Sequence, residues 1–193
     1  MTAARPPATP PPAAAPTVRR RRPSDLPGLG TDLLEQQPRT RYPFRDPLPV
    51  STDVFLHAED ALGAYVAEID GDVVGHVART GPAHGFPDSA RMNEACARAH
   101  GCAVEDLSYV SSLFTAERAR GHGVGRSLLD AIVADARAAG HRPCLEVLPH
   151  HAGARHLYLS GGWRDVLAIR PPWLTSVVGE EGPDVLVMVL PTE

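Results

Sequence analysis

The sequence predicts an α/β (α+β) protein built on a mixed sheet with helices on both faces. Three observations carry that prediction. Strand-like and helix-like runs are interleaved along the chain, an early strand pair is joined by Asp70-Gly71, and a long amphipathic helix follows a glycine-rich turn.

The segment from Met1 to Pro16 holds 12 Pro or Ala among 16 residues, with no large apolar side chain after Met1. Such a stretch cannot bury enough surface to offset its ordering entropy, so residues 1–16 are expected to be a disordered tail and residues 17–193 a single domain. Proline also interrupts any continuous apolar helix, which excludes a secretory signal. Val18–Arg22 reads as an edge strand with one wet face, stopped by Pro23, rather than as a basic targeting cluster. Ser24 then stands as an N-cap for a helix toward Glu35.

Ala64–Ile69 and Val73–Ala78 flank Asp70-Gly71, a two-residue turn in which both central positions need positive φ. Pro82–Pro87 reads as a loop. Asp88–His100 places Met92, Ala95, Cys96 and Ala99 at helical spacing, and Gly101 ends that helix. Leu107–Phe114 has the apolar and aromatic content of a strand. Val124, Leu128, Leu129, Ile132, Val133 and Ala136 make one apolar helical stripe closed by Gly140. Cys144–Leu148 is a strand, Ala152–Leu159 a helix stopped by Gly161-Gly162, and Val166–Ile169 and Val185–Leu190 are strands. The Pro171–Gly182 stretch between them reads as a surface hairpin, with Trp173 available to line an acceptor mouth.

Composition narrows the function classes. The 193 residues carry 19 basic and 23 acidic side chains for a net charge of −4, the wrong sign for coating nucleic acid. No apolar run approaches the ~20 residues that span a bilayer. All basic residues are arginine and lysine is absent, a bias expected of a GC-rich genome. Three cysteines, Cys96, Cys102 and Cys144, sit in no metal-like spacing and fit reduced thiols in a cytoplasmic protein. His150, His151 and His156 have no Cys or carboxylate neighbour at ligand spacing, so no metal is expected.

The most informative stretch is Arg120-Gly121-His122-Gly123-Val124-Gly125-Arg126, between a strand and the long helix. Glycines let backbone amides approach a ligand, and a helix N-terminus favours an anion there. A phosphate or pyrophosphate is the natural occupant, although a merely flexible turn has the same glycines. The Walker pattern fails because no Gly-Lys-Ser/Thr follows, and G-x-G-x-x-G fails at Arg126. What remains is R-x-x-G-x-G, from Arg120 through Gly123 to Gly125.

That pattern resembles the acetyl-CoA motif Q/R-x-x-G-x-G/A of the GNAT superfamily of N-acetyltransferases. The resemblance continues through Leu145-Glu146-Val147, Ala154, Leu157-Tyr158 and Gly162-Trp163, which match L-x-V…N-x-x-A-x-x-L-Y-x-x-x-G-F in register. Val74-Gly75-His76-Val77 is similar to the family's third strand, and coverage runs from about Val18 to Leu190. Trp163 stands for the usual Phe, and His151 for the Asn that commonly touches pantetheine. The helix at 88–100 resembles the longer versions of some bacterial members.

The resemblance implies a mostly antiparallel central sheet with a splayed strand pair that holds acetyl-CoA, the co-substrate, and no metal. Leu113, Phe114 and Thr115 would present backbone groups to pantetheine, with His151 nearby. Arg120, Gly121, His122, Gly123, Val124, Gly125 and Arg126 would hold the pyrophosphate, with the His122 side chain pointing outward. Tyr158 stands at the usual general-acid position for the departing thiolate, though a buried tyrosine packing under its helix has the same sequence appearance. Glu146 either accepts the amine proton, as a glutamate does in ribosomal-protein alanine N-acetyltransferases, or simply faces solvent or pairs with an arginine. The implied acceptor is a small-molecule amine or a peptide N-terminus, and the chain a monomer or homodimer. The competing class is a binding protein that kept the fold without turnover.

Overall fold

The computed structural model describes residues 15–57 and 59–192. The expected tail therefore lies, as far as residue 14, outside the described residues. The elements in order are β1 (Thr17–Arg20), α1 (Leu26–Thr40), α2 (Thr52–Leu56), β2 (Gly63–Ile69), β3 (Asp72–Thr80), α3 (Ser89–His100), β4 (Leu107–Thr115), α4 (Val124–Ala138), β5 (Arg142–Val147), α5 (Ala152–Ser160), β6 (Arg164–Ile169), α6 (Pro172–Val178) and β7 (Val185–Val189). The strands make one seven-stranded sheet in the order β1-β2-β3-β4-β5-β7-β6. Every pairing is antiparallel except β4 with β5. The mixed, mostly antiparallel sheet expected from the sequence is the observed one.

Local chemistry explains most boundaries. Asp70 (φ 52°) and Gly71 (φ 89°) both take the left-handed conformation that a tight hairpin requires. α3 begins after Asp88 and ends at Gly101, and α4 keeps the whole predicted stripe buried. Two expectations need adjustment. Ser24 caps nothing: a 3₁₀ turn over Pro23–Asp25 precedes α1, which runs past Glu35 to Thr40. The expected hairpin at 171–182 contains α6, opened by Pro171-Pro172, where fixed φ suits a helix start.

Alternation along the strands sorts the core into layers. One sheet face, carrying Ala67, Val77, Val110, Leu145, Val147 and Met188, is covered by α4 and α5. The opposite face is covered by α1 and α2 over β2 and the end of β4, and by α3 and α6 over β5, β6 and β7. Gly75 sets the depth of α4, since a Cβ there would lie 2.8 Å from Val124 and 3.0 Å from the Phe114 carbonyl.

The other end of α4 is pinned by charge. Asp135 accepts from Arg79 Nε at 2.6 Å and from the Tyr65 hydroxyl at 2.7 Å, and pairs with the exposed Arg20 at 3.2 Å. Arg79 is 5% exposed and also reaches Ser108. Burial alone would raise the Asp135 carboxyl, but the hydrogen bonds from Arg79 and Tyr65 outweigh it and hold the group below its ordinary range. Removing the carboxylate leaves the Arg79 charge buried without its partner. Asp135→Asn is therefore expected to cost about 3 kcal/mol and to lower Tm by roughly 6–12 °C at pH 7. Because the folded value is depressed, the wild-type advantage is present above the unfolded carboxylate value and is lost as pH falls through the folded one. Urea midpoints of both proteins at pH 7 and pH 3 check this; equal midpoints at pH 7 refute it.

Candidate active site

The site begins where β4 and β5 part. They pair only from Leu107 with Arg142 to Val110 with Leu145. Beyond that, Ser112 takes φ 51° and the register against β3 shifts between His76 and Ala78, so β4 bulges while β5 keeps its register with β7 through Val147. Between the strands lies a cavity of about 1350 Å³, larger than the ~300–1,000 Å³ of ordinary small-molecule pockets. It is lined by Val124, Leu157 and Tyr158 from one side of the sheet and by Met92, Phe44 and Trp173 from the other, so it passes through the sheet. The buried Ser111 Oγ has no hydrogen-bond partner among the described residues and lines this gap.

Leu113, Phe114 and Thr115 follow the bulge and line the cavity. The Phe114 side chain turns away into the layer under α1 and α2, which leaves its backbone on the cavity side. At the next turn Gly121 (φ 81°) and Gly123 (φ 78°) are left-handed, and a Cβ at either would meet nothing within 4 Å. None of the backbone amides from Gly121 through Arg126 donates a hydrogen bond among the described residues. The first bond of α4 runs from Ser127 N–H to the Gly123 carbonyl at 3.0 Å. Successive free amides at the positive end of a helix form a concave anion site.

The side chains around this turn are held. Arg120 donates to Gln36 Oε1 at 3.1 Å, and Arg126 donates to Ser160 Oγ at 2.7 Å and to the Leu157 carbonyl at 3.3 Å. Both line the cavity. His122 is exposed, its Nδ1 lies 3.0 Å from the Arg120 carbonyl, and its side chain stays outside the cavity.

Tyr158 and Glu146 lie on opposite sides of the gap. Tyr158 is 6% exposed, packs 5.9 Å from Trp163 on the α4–α5 side, and has its hydroxyl pushed up to about 12 by burial. Glu146 points to the other face, opposite Leu145 and Val147, and opens onto the cavity. Its carboxylate makes no ion pair among the described residues, and the surrounding walls raise its pKa by desolvation. The pairing with an arginine that the sequence also allowed is not made among the described residues. His151 caps α5 and lines the cavity, with Nε2 held 3.1 Å from the Arg41 carbonyl. Desolvation lowers both His150 and His151, which keeps the rings neutral at pH 7.

The acetyltransferase (GNAT) family model matches residues 29–163, most of the chain and all of this site's core. The chain belongs to that family. Among GNAT-like solved structures, the protein yncA of Salmonella typhimurium, solved with its cofactor acetyl-CoA, is 19% identical, covers 92% of this chain and 94% of its own, and superposes with a TM-score of 0.66. The ribosomal-protein-alanine N-acetyltransferase of Brucella melitensis is 21% identical over 90% of this chain and 98% of its own, with a TM-score of 0.64. A GCN5-related N-acetyltransferase from Kribbella flavida is 20% identical over 92% and 98%, with a TM-score of 0.63. These likenesses are of fold. No curated protein matches the chain.

Within this GNAT acetyltransferase the structure adds residues that sequence reading missed. Tyr42, just past the end of α1, lies edge-on to His151 at 5.7 Å and close enough to Tyr158 and Glu146 for their charges to raise its hydroxyl further than burial already does. Phe44 and Arg45 reach the cavity from the same segment. No local signal marks them, because it is the left-handed Arg41 (φ 54°) that turns residues 41–49 over the cleft. Among the described residues no group of three or more His, Cys, Asp or Glu is placed to hold a metal, and no helix is long and apolar enough to cross a membrane.

Proposed function

We propose that this GNAT acetyltransferase moves the acetyl group of acetyl-CoA to a primary amine by direct attack. The observation that carries the reading is the run of unpaired amides from Gly121 to Arg126, which opens onto a cavity large enough for a long co-substrate. On this reading the diphosphate rests on those amides, flanked by Arg120 and Arg126, and the pantetheine arm follows the free edge of β4 past Leu113–Thr115. Ser111 Oγ and the unengaged His151 Nδ1 supply polar contacts along the way.

The two sides of the gap then divide the chemistry. The co-substrate enters from the α4–α5 side, where Tyr158 lies, and the amine enters from the side of Glu146. An amine of pKa ~10.4 is neutral in only about one part in 10³ at pH 7, a deficit of roughly 4–5 kcal/mol. Glu146 takes up the amine's proton, directly or through water, and desolvation makes it a stronger base than an ordinary carboxylate. Tyr158 faces the departing thiolate. With its hydroxyl near 12, full transfer to a thiol of pKa ~8.5 is uphill by roughly 5 kcal/mol, so Tyr158 acts by donating a hydrogen bond.

Free thiol release from acetyl-CoA across an amine panel tests the reading; coenzyme binding with no thiol from any acceptor would favour a binding protein. Gly123→Glu places bulk and negative charge in the diphosphate seat, and calorimetry is expected to show acetyl-CoA affinity falling by at least 10²-fold. Unchanged affinity refutes the seat. Tyr158→Phe is expected to lower kcat about 10–100-fold while acetyl-CoA Kd shifts less than about 3-fold. An unaltered kcat with chemistry rate-limiting removes Tyr158 from the step. The base must be ionised to act, so kcat/KM rises with pH through the Glu146 value, and desolvation by the cleft walls places that limb above the ordinary carboxyl value of 4.5. A limb that survives unchanged in Glu146→Gln contradicts its role.

A further inference from the structure

Resting on the acetyltransferase reading above, we infer that the acceptor is an amine carrying a flat apolar body and a carboxylate, and that Arg45 binds that carboxylate. The acceptor side of the cavity has a continuous wall of rings. Phe55 and Tyr42 have centroids 6.3 Å apart, Tyr42 and His151 5.7 Å, and His151 and His150 4.3 Å. The wall continues from His150 to Phe44 at 4.9 Å and from Phe44 to Trp173 at 6.1 Å. These are spacings of interacting aromatic rings. All of these residues line the cavity. The wall starts beside Glu146 and Tyr158, through Tyr42, and ends under Arg45, whose guanidinium lies 4.7 Å from the Trp173 centroid.

Charge singles out Arg45. Four arginines line the cavity: Arg39, Arg45, Arg120 and Arg126. Arg39 pairs with Glu117, Arg120 with Gln36, and Arg126 with Ser160 and the Leu157 carbonyl. Arg45 alone makes no ion pair or hydrogen bond among the described residues. Its guanidinium carbon lies over the Trp173 ring and none of its N–H groups is engaged, so the fork that grips a carboxylate by two parallel bonds is available. The cavity's carboxylates do not compete for it, since Glu146 lies at the reacting end and Asp60 is engaged by His84 at 3.0 Å. The imidazoles of His150 and His151 add no charge to the wall, and Arg41, whose guanidinium lies 5.2 Å from the Phe44 centroid, is the cation beside its middle, outside the cavity lining. An aromatic ring with an aminoalkyl arm at one end and a carboxylate at the other has all three features in this order: an amine for Glu146, a planar body for the wall and a carboxylate for Arg45.

The test compares acceptors that differ only in the carboxylate, 4-(aminomethyl)phenylacetate against 4-methylbenzylamine and 4-(2-aminoethyl)benzoate against phenethylamine, with saturating acetyl-CoA and thiol release as readout. The acid of each pair is expected to have the higher kcat/KM by at least about 10-fold, the range of a hydrogen bond to a charged group. Arg45→Gln should lower the acid-to-amine ratio by about 10–100-fold, and Arg45→Lys, which keeps the charge and loses the fork, by less. Comparing the ratio between wild type and variant cancels any difference in amine basicity within each pair. The inference is overturned if the two amines that lack the carboxylate are the better acceptors, if the acid preference survives in Arg45→Gln, or if a protein that binds acetyl-CoA acetylates none of the four. Absence of acetyl-CoA binding by calorimetry instead overturns the underlying reading.

Discussion

β4 and β5 run side by side for four residue pairs and then separate, because Ser112 adopts a left-handed backbone and the pairing with β3 slips at the same place. Separation leaves β4 without a partner on one edge, and unpaired backbone groups inside a protein must find other partners. A ligand that runs along β4 supplies them. The same parting opens the sheet from face to face, which is how residues from layers on its opposite sides come to share one cavity. α4 completes the arrangement. Gly75 lets its first turn sit close on β3, and the Asp135–Arg79 pair pins its far half, so the free amides at its start are held at a fixed position over the gap.

The electrostatics of the cleft follow from this placement. Its walls are mostly apolar, and desolvation shifts the groups at its reacting end toward their neutral forms: Tyr158 and Glu146 upward, His150 and His151 downward. A carboxylate that resists ionisation is a better base, and a phenol that resists ionisation is a better hydrogen-bond donor than acid. Among the groups that line the cavity, uncompensated positive charge is found on the amides and arginines of the α4 turn and on Arg45. That pattern suits a reaction between a polyanionic donor and an acceptor drawn in along an aromatic wall.

Much of this was legible in the sequence because it is encoded locally. The Asp70-Gly71 hairpin, the stripe of α4 and the Arg120–Arg126 turn each depend on residues a few positions apart, and each is found where its spacing places it. The segments that escaped have weak local signals. α2 is five residues long, and α6 starts in a Pro-rich stretch that reads equally as a turn. Tyr42, Phe44 and Arg45 belong to the site only because Arg41 redirects the chain across it, a tertiary consequence that no period reveals. The bulge at Ser112 is likewise silent, since serine is an ordinary strand residue and its positive φ is imposed by the pairing around it.

The central claim is that main-chain amides at the start of α4 hold the diphosphate of the co-substrate. Hydrogen–deuterium exchange of the amides from Gly121 to Arg126, with and without saturating acetyl-CoA, examines it at the atoms concerned. The account predicts that their exchange slows markedly on binding, because each free N–H gains an acceptor. Exchange at those positions that stays the same while the coenzyme is bound would contradict it.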